Sequence, residues 1–323
     1  MPETSPPLRR QGPFILGLVL ILAALPLGYF FFLREVPPAP PSVAPVAPPA
    51  PVVEAPAPEK PVQLQITEVS GTVQVKAKNG SWQNVDKGTM LTAADEVRTV
   101  GGSYAVIIGG ESVMIRMEPG TEVTVEELTA SVSRLLLNKG MATTTVLTGK
   151  GHTIEFKAKG SDAVATAKDQ GTFTMSNDGA GTVAVGAREG EVAFRGNKQV
   201  VIVKAGYQSV LRPGDEGPSA PMKVPTSLLR KLTWPGRQQN KDKIVVKGEA
   251  EPGTRVEVAG ETIYPGKDGT FEKTVGLKEG ENDVRVRAVS VVGKEEEQQR
   301  KFSVDTRPPV THIPSLWKDS GGQ

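Results

Sequence analysis

From Gln63 onward the chain is written in short runs that alternate apolar and polar residues, each soon broken by Gly, Asn, Asp or Pro. A period of two places successive side chains on opposite faces of a strand, so this pattern commits the chain to β structure with one face of each strand buried. Residues 64–76 read as a strand pair around Ser70-Gly71, and Asn79-Gly80 marks a tight turn before Trp82. Asn79-Gly80-Ser81 also fits a glycosylation sequon, but the turn accounts for it. Residues 104–108 and 112–117 are strands around Gly109-Gly110, and the same grammar recurs at 153–156, 171–175, 182–185, 191–194 and 200–203. Short strands with turn signals every ~8–12 residues predict an all-β sandwich, roll or β-helical stack. Residues 126–136 and 226–231 carry the only helical hints.

Upstream, residues 13–33 form one apolar stretch without a charge. At about 1.5 Å rise, some 21 residues span about 31 Å, the thickness of a bilayer core. A buried core helix would show a polar face, and none is present. A cleaved signal peptide would have a shorter apolar region and a small-x-small site, whereas Arg34-Glu35-Val36-Pro37-Pro38 follows here. A single transmembrane helix is therefore expected. Arg9 and Arg10 against the lone Arg34 place the N-terminus in the cytoplasm and the ectodomain outside. Gln11-Gly12-Pro13-Phe14 fits a twin-arginine export signal poorly, and residues 1–12 are expected to be a cytoplasmic stub too short to fold. The span holds no ionisable residue, which argues against an ion or proton pathway.

Residues 34–62 are rich in Pro and Ala and favour extended polyproline II. At about 3.1 Å per residue, some 27 residues reach on the order of 80 Å, enough to hold a domain away from a membrane. The alternative is a docking ligand for a proline-recognising partner. The chain has no cysteine, so disulfides, thiolate metal sites and a lipid-modified cysteine are excluded. With 38 basic and 36 acidic residues, its net charge of +2 creates no overall field for nucleic acid.

Several segments taken in order are similar to the FecR domain family. They are Val69-Ser70-Gly71-Thr72-Val73, Trp82-Gln83-Asn84-Val85 with Lys87-Gly88, Asp95-Glu96-Val97-Arg98-Thr99, and Pro119-Gly120-Thr121. Gln170-Gly171-Thr172-Phe173, Glu189-Gly190-Glu191-Val192 and Lys204-Ala205-Gly206-Tyr207 continue the likeness, which runs from about Glu68 to Pro218 within a domain expected over residues 63–218. The resemblance implies an extracytoplasmic β domain, which in the founding members senses an outer-membrane transporter and controls a sigma factor through a cytosolic region. The short stub departs from that pattern.

Residues 243–308 resemble bacterial Ig-like modules, including those appended to glycan-active enzymes. Val245-Val246-Lys247-Gly248, Pro252-Gly253-Thr254, Asp268-Gly269-Thr270-Phe271 and Glu279-Gly280-Glu281-Asn282 carry the likeness. Asn282 sits where such modules use the Asn side chain to bond a neighbouring turn. The fold class expected is thus an all-β ectodomain, a FecR-like roll or sandwich plus an Ig-like β-sandwich, on one N-terminal transmembrane helix. The two modules are expected to fold independently, joined by a basic linker at 219–242 and followed by a flexible tail at 309–323.

Catalytic chemistry is sparse. His152, in a Gly-Lys-Gly-His turn, and His312 read as exposed loop residues without catalytic or metal-ligand spacing. Gly149-Lys150-Gly151 lacks the rest of a phosphate loop, and there is no Gly-x-Ser-x-Gly elbow. Glu126-Glu127 and Glu295-Glu296-Glu297 read as solvated faces, and a glycosidase pair depends on a spatial separation that sequence does not supply. No catalytic, cofactor-binding or metal-binding residue is expected. One cluster stands out: Lys223, Arg230, Lys231, Arg237, Lys241 and Lys243 surround Trp234, opposed by Asp242. Arg230, Lys231, Trp234 and Arg237 are the candidate contact surface for an anionic polymer, lipid head group or protein; the plainer reading packs Trp234-Pro235 onto the Ig-like sandwich. Trp82 reads as core or turn packing.

The expectation is a non-enzymatic protein of the inner membrane, with its ectodomain in the periplasm. It would bind, scaffold or relay signals among envelope protein partners, using no cofactor and no nucleic acid. Two alternatives are control of a sigma factor with a partner, and glycan binding at the peptidoglycan.

Overall fold

In the computed structural model of the protein the described residues are 63–129, 131–147 and 152–307, with Tyr29 alone upstream. The 13–33 span otherwise, the 34–62 spacer and the 309–323 tail with His312 lie outside the described residues. No described helix is long and apolar enough to cross a membrane. From residue 64 every regular element is a strand.

Fifteen strands form the first module's sheet. Its centre is the long strand Val132–Val146, which changes partners along its length. The first part runs parallel to Thr153–Ala158 and antiparallel to Glu122–Leu128. The second part lies between Val113–Met117 and Gly171–Asn177. Leu64–Lys76 and Glu96–Gly109 pair over nearly their whole lengths beyond this junction. Strict alternation drives the packing: in Thr153–Ala158, Ile154, Phe156 and Ala158 point inward, while Thr153, Glu155 and Lys157 stay part-exposed. Phe156 meets Phe173 edge-on at 6.4 Å in a core shared with Leu64, Ile107, Ile115 and Leu135.

Both helical hints are overturned. Residues 126–136 enter the strands Glu122–Leu128 and Val132–Val146, and residues 229–231 lie in the strand Leu229–Thr233. Ser133, Leu135 and Leu137 face the core alternately with Arg134 and Leu136, so the leucines fit a period of two once partner strands are available. Tertiary pairing overrides weak helix propensity.

The second module is a sandwich. One sheet holds Leu229–Thr233, Lys243–Ala250 and Thr270–Gly276; the other holds Gln238–Gln239, Glu295–Val304, Gly280–Val289, Arg255–Val258 and Glu261–Ile263. Val246, Val256, Val286 and Phe302 fill the space between them. Residues 229–233 and 238–239, within the stretch read as a linker, contribute a strand to each sheet. Asn282 closes its turn: Oδ1 accepts from Lys278 N at 2.8 Å, while Nδ2 donates to Lys278 O at 2.6 Å and Gly280 O at 3.0 Å.

The two modules meet in a packed joint. Met141, Ala184 and Val210 of the first and Val291 of the second form a separate apolar cluster, against which Tyr264 packs. Gly253 makes the approach possible. Its φ is +83°, and a Cβ there would lie 2.1 Å from the Ala184 Cβ.

Candidate functional site

The joint leaves an open cleft of about 540 Å³ between the modules. Strand Glu96–Gly109 brings Tyr104 to it, strand Val113–Met117 brings Arg116, and Arg188 comes from the exposed end of Val183–Glu189. The second module supplies Arg255 and Glu257 from Arg255–Val258, Arg287 from Gly280–Val289 and Glu295 from Glu295–Val304.

Five of these charges, with Glu118 that also lines the cleft, form one alternating ladder. Arg116 Nε lies 3.0 Å from Glu118 Oε1, and the other oxygen of Glu118 lies 3.7 Å from Arg255 Nη2. Arg255 Nη1 lies 2.5 Å from Glu257 Oε1, and Glu257 Oε2 lies 3.8 Å from Arg287 Nη1. Arg287 Nη2 ends the ladder on Glu295 Oε1 at 2.7 Å. The Glu295 bond, reinforced by the charges of Glu295 and Glu257, raises the Arg287 pKa above its ordinary value. Glu118 and Glu257 thus each bridge two guanidinium groups, and the Glu118–Arg255 step crosses from one module to the other. The Arg255 side chain is only 6% exposed, and its Nε finds no partner among the described residues.

Two features flank the ladder. The Arg116 guanidinium carbon stands 3.9 Å from the centre of the Tyr104 ring, a cation–π contact. Tyr104 Oη donates to Glu68 Oε1 at 2.5 Å, and this bond raises the tyrosine pKa. Arg188, by contrast, has no carboxylate partner among the described residues. Its guanidinium lies against Gly293 of the other module, a turn glycine with φ +79° whose amide donates to Ser290 O at 2.9 Å. Arginine stays charged across the accessible pH range, so the arrangement holds charge rather than transferring protons.

Each residue nominated from sequence has its own neighbours in the second module. Arg230 pairs with the buried Glu251, and Lys231 Nζ lies 3.9 Å from Glu249 Oε1. Trp234 is half-buried on Phe302, with ring centres 5.9 Å apart. Arg237 is exposed, and its carbonyl accepts from Ser303 N at 2.9 Å. Sequence reasoning missed Arg116, Arg188, Arg255 and Arg287 because they come from distant strands of two modules. The only local trace is that Arg188 and Arg255 each stand two residues from a turn glycine, Gly190 and Gly253.

Two other readings are corrected. His152 is not an exposed loop residue: it is 5% exposed, with Nε2 3.0 Å from the buried Ser133 Oγ. Strand pairing at Thr153 with Val132 pulls the preceding residue under the sheet. Nor is Glu295-Glu296-Glu297 simply solvated. Glu296 Oε2 accepts from Leu228 N at 2.6 Å, Leu229 N at 3.2 Å and Ser227 Oγ at 3.1 Å. Desolvation pushes its pKa up, but the hydrogen bonds from Leu229, Leu228, Gln298 and Ser227 together outweigh it and the net shift is downward. Trp82 is half-buried beneath Arg98, whose Cζ is 4.1 Å from the ring centre. No His, Asp or Glu group with metal-site geometry occurs among the described residues.

Residues 233–306 match the family model described as glucodextranase, domain B, in keeping with an Ig-like β domain there. Among solved structures, the chain is similar to a "putative anti-sigma factor" from Parabacteroides distasonis, seen in crystal structures at 1.65 Å and 2.50 Å resolution. The first aligns at 16% identity with a TM-score of 0.33 over 39% of this chain, and the second at 16% and 0.32 over 37%. The chain spans only 57% and 55% of the lengths of those two structures. None of the curated proteins matches the chain.

Proposed function

We propose that the protein is a membrane-anchored ectodomain that works by contact, binding or scaffolding partners in a cell envelope without catalysis. The observation that carries this reading is the joint between the modules. Two β modules in tandem would ordinarily move as beads on a string, since interfaces between domains of one chain are typically modest. Here an apolar cluster and a hydrogen bond join them into one surface, and the charged cleft lies along the seam. A rigid surface at the end of a long spacer suits presentation to a partner. The apolar 13–33 span and the arginine asymmetry around it support anchoring in an inner membrane, with the modules in the periplasm.

The FecR-like segments favour a second reading, in which the ectodomain relays a signal toward a sigma factor through a partner. Crosslinking the intact membrane protein in cells and identifying what is captured separates the two. Recovery of envelope structural proteins supports scaffolding; recovery of a receptor or sigma-factor regulator supports relay. A phosphatase reporter fused after Pro218 and inactive in cells would overturn the periplasmic placement on which both depend.

A further inference from the structure

We infer that the cleft between the modules binds a small acidic ligand through one carboxylate group, with Arg188 as its anchor. This deepens the binding role proposed above, but the site needs neither the membrane nor a protein partner.

The charge balance in the cleft points to it. The lining holds four arginines, Arg116, Arg188, Arg255 and Arg287, and three glutamates, Glu118, Glu257 and Glu295. The ladder neutralises three arginines with three glutamates and leaves Arg188 over. A structural network that merely stitched two modules together would need no seventh member. Arg188 comes from the first module and its guanidinium lies against Gly293 of the second, so it spans the seam of the cleft. A fork of N–H donors beside unneutralised charge is the geometry that carboxylates and phosphates meet bidentately.

The carboxylate is favoured over phosphate by the same balance. A single surplus guanidinium matches a monoanion, whereas a dianionic phosphate would face repulsion from Glu118, Glu257 and Glu295. The volume falls within the roughly 300–1,000 Å³ typical of small-molecule sites. Tyr104 and Thr143 also line the cleft, which suits a polar remainder such as a sugar ring or a short peptide.

The test is titration calorimetry on the full chain in detergent. Glucuronate and N-acetyl-Ala-Ala serve as acidic probes, glucose and N-acetyl-Ala-Ala amide as their neutral counterparts, and inorganic phosphate as the competing anion. At least one acid should bind saturably, with a dissociation constant somewhere between about 1 μM and 1 mM, while its neutral counterpart does not. Which of the two binds distinguishes a sugar acid from a peptide terminus. Arg188→Gln should weaken that binding at least about tenfold, as loss of one charge-assisted pair does, with the melting temperature unchanged because Arg188 is exposed and holds no ion pair among the described residues. Absence of saturable binding by either acid, or binding that Arg188→Gln leaves intact, would overturn the site. Tighter binding of phosphate than of both acids would overturn the choice of carboxylate. Neither result bears on what crosslinking in cells recovers, so the two proposals fail separately.

Discussion

The Tyr264 hydroxyl donates a hydrogen bond to the Pro119 carbonyl at 2.7 Å, joining residues 145 positions apart in the chain. Pro119 lies in the turn after strand Val113–Met117 of the first module, and Tyr264 follows strand Glu261–Ile263 of the second. The same ring packs against Met141, Ala184, Val210 and Val291, so the joint is closed by apolar contact and by a directed bond together.

Tyr264→Phe keeps the ring and removes the bond. It should cost about 1–2 kcal/mol in chemical denaturation, because a carbonyl at the joint loses its donor. Burial raises the Tyr264 pKa above the ordinary tyrosine value, so the folded state keeps this proton when the unfolded chain releases it near pH ~10. Its stabilisation is thus complete below about pH 10 and is lost as pH rises beyond that. Melting temperatures between pH 9 and 11 should therefore fall more steeply for the wild type than for Tyr264→Phe.

Gly253→Ala inserts a methyl where Ala184 already sits and forces a side chain onto a φ of +83°. Backbone strain alone costs about 1–3 kcal/mol, and the clash adds to it. With the joint intact, the two modules should unfold in a single transition. The variant should separate this into two, measured by denaturation with fluorescence and circular dichroism in parallel. Two transitions already present in the wild type would mean that the joint does not couple the modules.

Glu296→Ala should release the chain just ahead of strand Leu229–Thr233. Two backbone amides and the Ser227 hydroxyl lose their common acceptor, an expected cost of about 1–3 kcal/mol. Limited proteolysis should then cut the 219–229 stretch faster than in the wild type. The carboxylate's pKa is lowered by folding, so its stabilisation is present above the ordinary glutamate value near 4.3 and disappears as pH falls below it. Wild type and variant should converge in stability toward pH ~3.

His152→Ala should destabilise the first module by about 1–3 kcal/mol, as removal of a buried polar partner does. Ser133→Ala should cost less when combined with it than alone. A double-mutant cycle with a coupling energy under about 0.5 kcal/mol would show that the 3.0 Å contact contributes little.

The all-β character was legible in the sequence because a strand's period is local: each run carries its own alternation and its own stop, as in Thr153–Ala158 or the Asn282 turn. The apolar 13–33 stretch was equally legible as a sequence feature, since hydrophobic length needs no partner to be read. Leu135 and Leu137 were ambiguous between helix and strand until neighbouring strands supplied their hydrogen bonds. The cleft was invisible for a different reason. Whether Glu118 neutralises Arg255, whether Arg188 is left over and whether His152 is buried depend on which distant strands lie side by side. Charge pairing acts over a few ångströms of space and carries no signature along the chain, so only the tertiary structure decided which arginine of the cleft lacks a carboxylate partner among the described residues.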